Sequence, residues 1–409
     1  MTKTAILAVA LSPCLLFSAS CNADPAGDTG STPTPSATSG AKGEPVTVSE
    51  SDAFTAQAFG EFDEPWAAAF APGTATLFIT EKGGTMKFVD TATGRLGTVS
   101  GMPEVDYGGQ GGLGDVAFLP SESSDTLERR TIYLTWVEAG DPGSGSGAGG
   151  DTRGAALGKG TLVCQEADAC AVEGLAVIWR QQPKVTGRGH FSHRIAFSPD
   201  GQHLFVASGD RQKMQPAQDL SNTLGSVVRL TPDGEAAPGN PFAERGSPSD
   251  QIWSYGHRNI LGLQFDAQGR LWDLEHGPAG GDELNLVVRG DNYGWPVVSE
   301  GDHYDGEAIP PHSTRPEFHA PAISWTPVIA PGDFVFYSGK LWPEWQGQAV
   351  IAAMKPSGIV RVAIEGEQAR EVARYPFERR VREIVEGPDG ALWILEDREG
   401  GRLIKLTPG

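Results

Sequence analysis

Apolar residues in this chain come in short runs, and each run follows a turn. Pro-Asp-Gly or a variant of it precedes aliphatic and aromatic stretches at Ala71–Thr80, Ser198–Asp210, Asp266–Leu274 and Gly387–Asp397. Weaker copies stand at Arg130–Glu138 and Ser338–Met354. Runs this short, bounded by Gly, Pro and Asp, predict strands rather than helices. Two of them fall inside Trp253–Pro296, at Leu261–Phe265 and Leu271–Leu274, joined by a turn over Asp266–Gly269. Another strand is expected at Ile195–Phe197. Six turn-plus-strand units, spaced at roughly 50–80 residues, match a β-propeller with long inter-strand loops. One blade cannot bury both of its faces, so sheets packed radially build a continuous core.

Composition agrees with an all-β chain. Among 409 residues there are 54 Gly and 30 Pro, and 39% of residues are hydrophobic. Turn formers are abundant, and the long apolar periodicities of helices are missing. Two insertions interrupt the pattern: Gly140–Gly160, Gly/Ser-rich and expected to be mobile, and Ser299–Pro321, expected to be an ordered loop over one face. No boundary for a second folded domain stands out. The formal net charge of −20 argues against nucleic acid as a partner, because phosphate binding needs a basic face.

The N-terminus reads as an export signal over 1–21. Lys3 supplies the positive end, Ala5–Phe17 the apolar core and Ser18-Ala19-Ser20-Cys21 a small-residue cleavage zone. Cys21 is a candidate for lipidation, although Ser18 stands where such signals usually carry Leu; cleavage after Ala23 is the alternative. The apolar core is too short to span a membrane stably. A Ser/Thr/Pro/Gly-rich linker follows over 22–45, and the folded region over 46–409. That region keeps only Cys164 and Cys170, close enough in C-Q-E-A-D-A-C to predict a local disulfide in an exported protein. Two cysteines with no nearby His make no zinc site.

Trp253–Pro296 carries more than a hairpin needs. His257-Arg258-Asn259 put an imidazole, a guanidinium and an amide in succession, and Glu275-His276-Gly277-Pro278 with Asp282-Glu283 set carboxylates beside a Gly/Pro-rich backbone. Hard cations such as calcium take that mixture of carboxylate and carbonyl oxygen. A basic fork beside such a cage suits a polyanionic organic ligand. No G-x-G-x-x-G lies between a strand and a helix, so no dinucleotide site of that type is expected. His190, in G-R-G-H-F-S-H-R-I-A-F, is a candidate base, although a lone His near a strand is more often structural. Asp210, in S-G-D-R, is placed to orient that base, to bind polar substrate or to cap a turn.

The motifs G-H-R-N, E-H-G-P, D-E-L-N and N-Y-G-W-P occur in order within 44 residues. Together they resemble the soluble quinoprotein sugar dehydrogenases, which use pyrroloquinoline quinone (PQQ), and especially their aldose sugar dehydrogenase branch. The resemblance implies a six-bladed β-propeller over 46–409. It implies PQQ and calcium as cofactors, an aldose sugar oxidised at its anomeric carbon to a lactone, and an external electron acceptor. An exported location, periplasmic or as a cell-surface lipoprotein, goes with that activity.

Site residues follow motif by motif. His190 matches the base of an H-F-x-x-R motif; Ser192 and His193 stand where the family usually has small residues, so His193 makes that assignment ambiguous and alters the pocket wall. Arg258 and Asn259 would meet the quinone oxygens, Lys355 in A-A-M-K-P-S-G a cofactor carboxylate, and Gln110 in G-Q-G-G-L and Tyr304 the cofactor's faces and edges. Gly277 and Pro278 resemble carbonyl ligands of a cofactor-bridging calcium, and Glu283 with the carbonyl of Tyr293 a second ion site. Arg382 either adds positive charge or forms a salt bridge. Two other readings fit calcium-type ligands or a propeller: a metal-dependent lactonase, and a non-enzymatic module that binds a glycan or protein. The lactonase would leave Arg258 and Lys355 without an obvious task, and the binding module would show no absorbance change on adding PQQ.

Overall fold

The computed structural model describes Met1 and residues 43–49, 52–140 and 151–409. The export signal, Cys21 and most of the linker lie outside the described residues. Every regular element among those described is a strand or a short three-ten turn. Strands in the middle of the sheets are buried from end to end: Thr76–Glu81, Ala349–Met354 and Leu392–Glu396 have no exposed position. That pattern belongs to sheets covered on both faces. Outer strands such as Arg95–Ser100 and Gln368–Pro376 retain exposed positions.

Consecutive strands pair antiparallel into meanders, and the ends of the chain close the structure. Phe54–Phe62 pairs with Gly401–Pro408, so the first long strand completes the sheet begun by the last ones. The sheet already starts at Glu44–Val46, just ahead of the expected boundary. Arg95–Ser100 runs parallel to Ala169–Arg180 and joins two meanders into one nine-stranded sheet. Between neighbouring sheets lie apolar layers such as Trp272, Leu274, Phe334, Ile351 and Val360. Each such side chain contributes about 1.5–3 kcal/mol on burial.

The leading strands of the meanders face the centre. Pro65–Phe70 packs on Leu113–Phe118, and Ser192–Phe197, Ile260–Phe265, Pro331–Phe336 and Val381–Glu386 continue the series back to Pro65–Phe70. A single side chain meets all of them. Arg194 donates to Leu261 O (2.5 Å), Gly332 O (3.0 Å) and Glu383 Oε2 (2.7 Å). It stands 3.5 Å from Asp115 and 3.7 Å from Asp333, with its guanidinium 4.2 Å from the centre of the Trp66 ring.

The glycine-rich insertion differs from expectation. Residues 141–150 are not described, but Thr152–Cys164 is a long strand paired on both sides. Its glycines make room for neighbours: a Cβ on Gly158 would sit 2.7 Å from Trp136, and one on Gly160 2.9 Å from Val172. Cys164 and Cys170 are disulfide-bonded across the turn that follows, as expected.

Candidate active site

The site begins where the strand Ser192–Phe197 is entered. His190, Ser192 and His193 all have positive φ, at 51°, 59° and 56°, and a bulge separates Ser192 from Ile195. Non-glycine residues adopt this conformation rarely, and it persists only where the surroundings enforce it. Here Gln110 Oε1 accepts a hydrogen bond from His190 N (2.6 Å). His190 Nδ1 lies 2.7 Å from Asp210 Oδ1. Asp210 is fully buried after the strand Leu204–Ser208, and it also accepts from Trp295 Nε1 (2.8 Å) and from the backbone of Gln212 (2.8 Å) and Met214 (3.3 Å). It therefore both orients a histidine and caps a turn.

Electrostatics fix the protonation pattern. Burial pushes the His190 imidazole below its ordinary value; Asp210 opposes this and the Arg258 charge reinforces it. Burial pushes Asp210 upward, but the hydrogen bonds from His190, Trp295 and Gln212 outweigh it and hold the carboxyl below the usual range. A neutral imidazole beside an ionised Asp210 carries its proton on Nδ1 and keeps the Nε2 lone pair free, as a base requires.

Phe191, Ser192 and His193 form one wall of a cavity of about 320 Å³. Four cations border it, Lys82, Arg380, Arg382 and Arg398, against two carboxylates, Glu64 and Asp397. The excess is positive in a chain of net charge −20. Arg380 and Arg382 share Asp397, at 2.6 Å and 2.8 Å. Gln110 and Asn259 also line the cavity. His193 is buried in the wall, stacked on Trp66 at 4.7 Å and 3.0 Å from Thr135 Oγ1; burial, with Arg194 and Arg211 nearby, pushes it down to about 3. It is held neutral but has no orienting carboxylate, whereas His190 has one.

Arg258 is not paired with a carboxylate among the described residues. It donates to His276 O (2.9 Å) and to the hydroxyl of the exposed Tyr304 (3.2 Å), and its plane lies 5.1 Å from the centre of the Trp295 ring. Its Nε is buried without a partner. Glu275 holds the loop that carries it: Oε2 accepts from Arg258 N (2.6 Å) and Asn259 N (3.2 Å), and Oε1 lies 3.2 Å from His257 Nδ1. His257, Asp273 and Glu275 gather like metal ligands, but His257 Nε2 is already bonded to Ser254 Oγ (2.8 Å) and Glu275 to the backbone. This group is a scaffold for Arg258 and Asn259.

Lys355 lies in the exposed turn after Ala349–Met354, with Met354 at the cavity and no partner for Nζ among the described residues. A second, small cavity of about 20 Å³ is bordered by Gly277, Glu283, Tyr293, Glu275 and His312. Pro278 follows Gly277 and is buried. Asp282 shapes this loop by accepting from Gly277 N (2.9 Å), Ile329 N (2.8 Å) and Ala330 N (2.6 Å). A Cβ on Gly277 would stand 2.2 Å from the carbonyl oxygens of Gly280 and Gly281, so only glycine fits. Burial, with Glu275 and Glu300 adding like charge, pushes Glu283 well above the usual carboxylate range. Tyr293 O accepts from His312 Nε2 (3.0 Å).

Residues 62–405 match the family described as glucose/sorbosone dehydrogenase. The chain belongs to this family. It is 36% identical over 355 residues to the aldose sugar dehydrogenase YliI of Escherichia coli, covering 85% of this chain and 91% of that protein. The apo crystal structure of the soluble aldose sugar dehydrogenase of Escherichia coli superposes with a TM-score of 0.76 at 33% identity, covering 87% of this chain and 100% of that one. The PQQ-bound form of the aldose sugar dehydrogenase of Streptomyces coelicolor gives 0.66 at 26% identity, with 87% and 98% covered. This member of the glucose/sorbosone dehydrogenase family is thus an enzyme of a sugar-oxidising group. Three of its contributors had little or no sequence signal as site residues: Arg380, His312 and Trp295. The arginine spacing in E-R-R-V-R could have marked Arg380, and the motif N-Y-G-W-P could have marked Trp295; His312 offers no such local signal.

Proposed function

We propose that this chain is an exported six-bladed β-propeller that oxidises aldose sugars at the anomeric carbon to lactones. It would use PQQ and calcium and pass electrons to an external acceptor. The closed series of leading strands and the PQQ-bound relative support this reading. The observation that carries it is the pairing of an oriented, neutral His190 with a cation-rich cavity against the same loop.

The donor sets fit both groups. A flat tricarboxylate needs cations on several sides, and Arg380, Arg382 and Lys82 border the cavity, with Arg258 and Lys355 at neighbouring loop positions. Gln110 and Asn259 offer amides to its polar edge. The crowded carboxylates around Glu283 and the carbonyls of Gly277, Pro278 and Tyr293 are oxygen donors of the kind calcium takes. When bound, PQQ supplies the two-electron acceptor and calcium polarises it.

The protein's own part is proton transfer and positioning. His190 Nε2 takes the proton of the sugar's anomeric hydroxyl, while Asp210 holds Nδ1–H and stabilises the imidazolium that forms. Gln110 keeps the imidazole in place through the His190 backbone N–H. The Arg258 fork, fixed by His276 O, stabilises negative charge that develops nearby. Reconstitution with PQQ and calcium should give dye-linked aldose oxidation, and His190→Ala should abolish it; activity retained in that variant would refute the base assignment.

A further inference from the structure

Within the motif N-Y-G-W-P, the proposed chemistry makes no use of the Trp295 side chain. Trp295 is buried and fixed at both ends of its backbone: its N–H donates to Gly256 O (2.9 Å), and its carbonyl accepts from Gln218 Nε2 (2.8 Å). Ala217 and Ile309 pack with it. Its indole N–H donates to Asp210 Oδ2 at 2.8 Å, on the carboxylate whose other oxygen holds His190. Its ring also lies under the Arg258 guanidinium, 5.1 Å from centre to Cζ. One rigid side chain therefore touches both the group that orients the base and the arginine expected at the cofactor.

We infer that Trp295 is a positioning residue that sets the basicity of His190 through Asp210 while holding Arg258 against its ring. An indole N–H is donor only, so this contact favours the ionised carboxylate and draws part of its charge away from His190. Without it, Asp210 would bond His190 more strongly and favour the imidazolium. The other groups that act on His190 are Arg258, Arg211 and, across the loop, His276. Of these, only Arg258 touches Trp295, and a Phe ring at 295 keeps an aromatic face beneath it. The stacking role is separable, since any aromatic face retains part of it.

The inference rests on the proposed role of His190, but its first test needs no cofactor. In the full-length apo chain labelled at Trp and His, the Trp295 Nε1–H resonance should titrate with the same midpoint as the His190 ring. A resonance that stays flat through the His190 titration would overturn the inference. Trp295→Phe should raise the His190 midpoint by about half a unit to one unit, whereas Trp295→His, which keeps a ring N–H, should restore part of the difference. An unchanged midpoint in Trp295→Phe would also overturn it. If Trp295→Phe does not fold, the titration of the native chain decides.

In the PQQ-loaded enzyme, Trp295→Phe should shift the acid limb of the kcat/KM profile upward and lower kcat about 10-fold with little change in the KM for sugar. A chain that binds no quinone would sink the proposed function and leave the resonance test standing. Sugar oxidation with an unresponsive indole would sink only this inference.

Discussion

Arg194 Nη2 lies 2.7 Å from Glu383 Oε2, although 189 residues separate them in the chain. Their strands are not adjacent in the ring of leading strands, and the arginine's other contacts cover the remaining ones. Burial pushes Glu383 and Asp333 upward and brings Asp115 to about 6, with the Arg194 charge pulling each of them back. Removing the arginine would leave this acid cluster buried without its cation. Arg194→Met should therefore destabilise the fold by about 3–5 kcal/mol. Arg194→Lys should recover little of it, because one ammonium cannot serve two carbonyls and a carboxylate in a fork. Denaturant unfolding checks both; a loss below about 1 kcal/mol for Arg194→Met would contradict the central role of this side chain.

His193 predicts how stability responds to acid. Its folded value of about 3 lies far below the ordinary imidazole value of 6.5, so the unfolded chain takes up a proton there first. The contribution is complete above 6.5 and shrinks as pH falls toward 3. At pH 5 the difference amounts to about 2 kcal/mol. His193→Phe, which keeps the stack on Trp66, should lose less stability between pH 7 and pH 5 than the parent chain. Identical pH dependence in the two proteins would show that His193 does not titrate as its surroundings dictate.

The proposed role of His190 as base predicts how catalysis responds to pH. Burial and Arg258 hold the imidazole below its ordinary value, so it is deprotonated around neutrality. The kcat/KM profile should be level around neutrality and fall only on the acid side of 6.5. Asp210→Asn should cost about 10²–10⁴-fold in kcat, because an amide no longer enforces Nδ1–H or stabilises the imidazolium. Stopped-flow rates with a saturating dye acceptor measure both effects.

Calcium should stabilise the folded chain through the loop that carries Gly277 and Glu283. A ligand at 100 times its Kd adds about 2.7 kcal/mol. Thermal unfolding with calcium and with a chelator should differ accordingly, and Glu283→Gln should lessen the difference. Gly277→Ala should disturb the loop even without calcium, since the added methyl meets two carbonyl oxygens at 2.2 Å.

Local elements were legible in the sequence because turn chemistry and apolar runs are local signals. The strands expected at Leu261–Phe265 and Leu271–Leu274 are observed at Ile260–Phe265 and Leu271–Glu275, with the Asp266–Gly269 turn between them. Thr152–Gly160 was misleading for the opposite reason. Its glycines resemble a linker in isolation, and only the bulk of Trp136, Val172 and Leu175 on adjacent strands makes them suitable for a sheet. The site divides along the same line. Short motifs marked His190, Asp210, Arg258 and Glu283 individually. The Arg194 contacts, the shared Asp397 of Arg380 and Arg382, and the Trp295 bond to Asp210 arise only once the ring closes.

We propose that a small cationic well within this acidic protein accepts a planar tricarboxylate quinone. Visible absorption of PQQ added to the purified chain with calcium tests it most directly. Saturable binding of one quinone per chain, weakened by Arg382→Gln and followed by a spectral change when an aldose is added, is the predicted result. A spectrum identical to that of free PQQ at every ratio would contradict it.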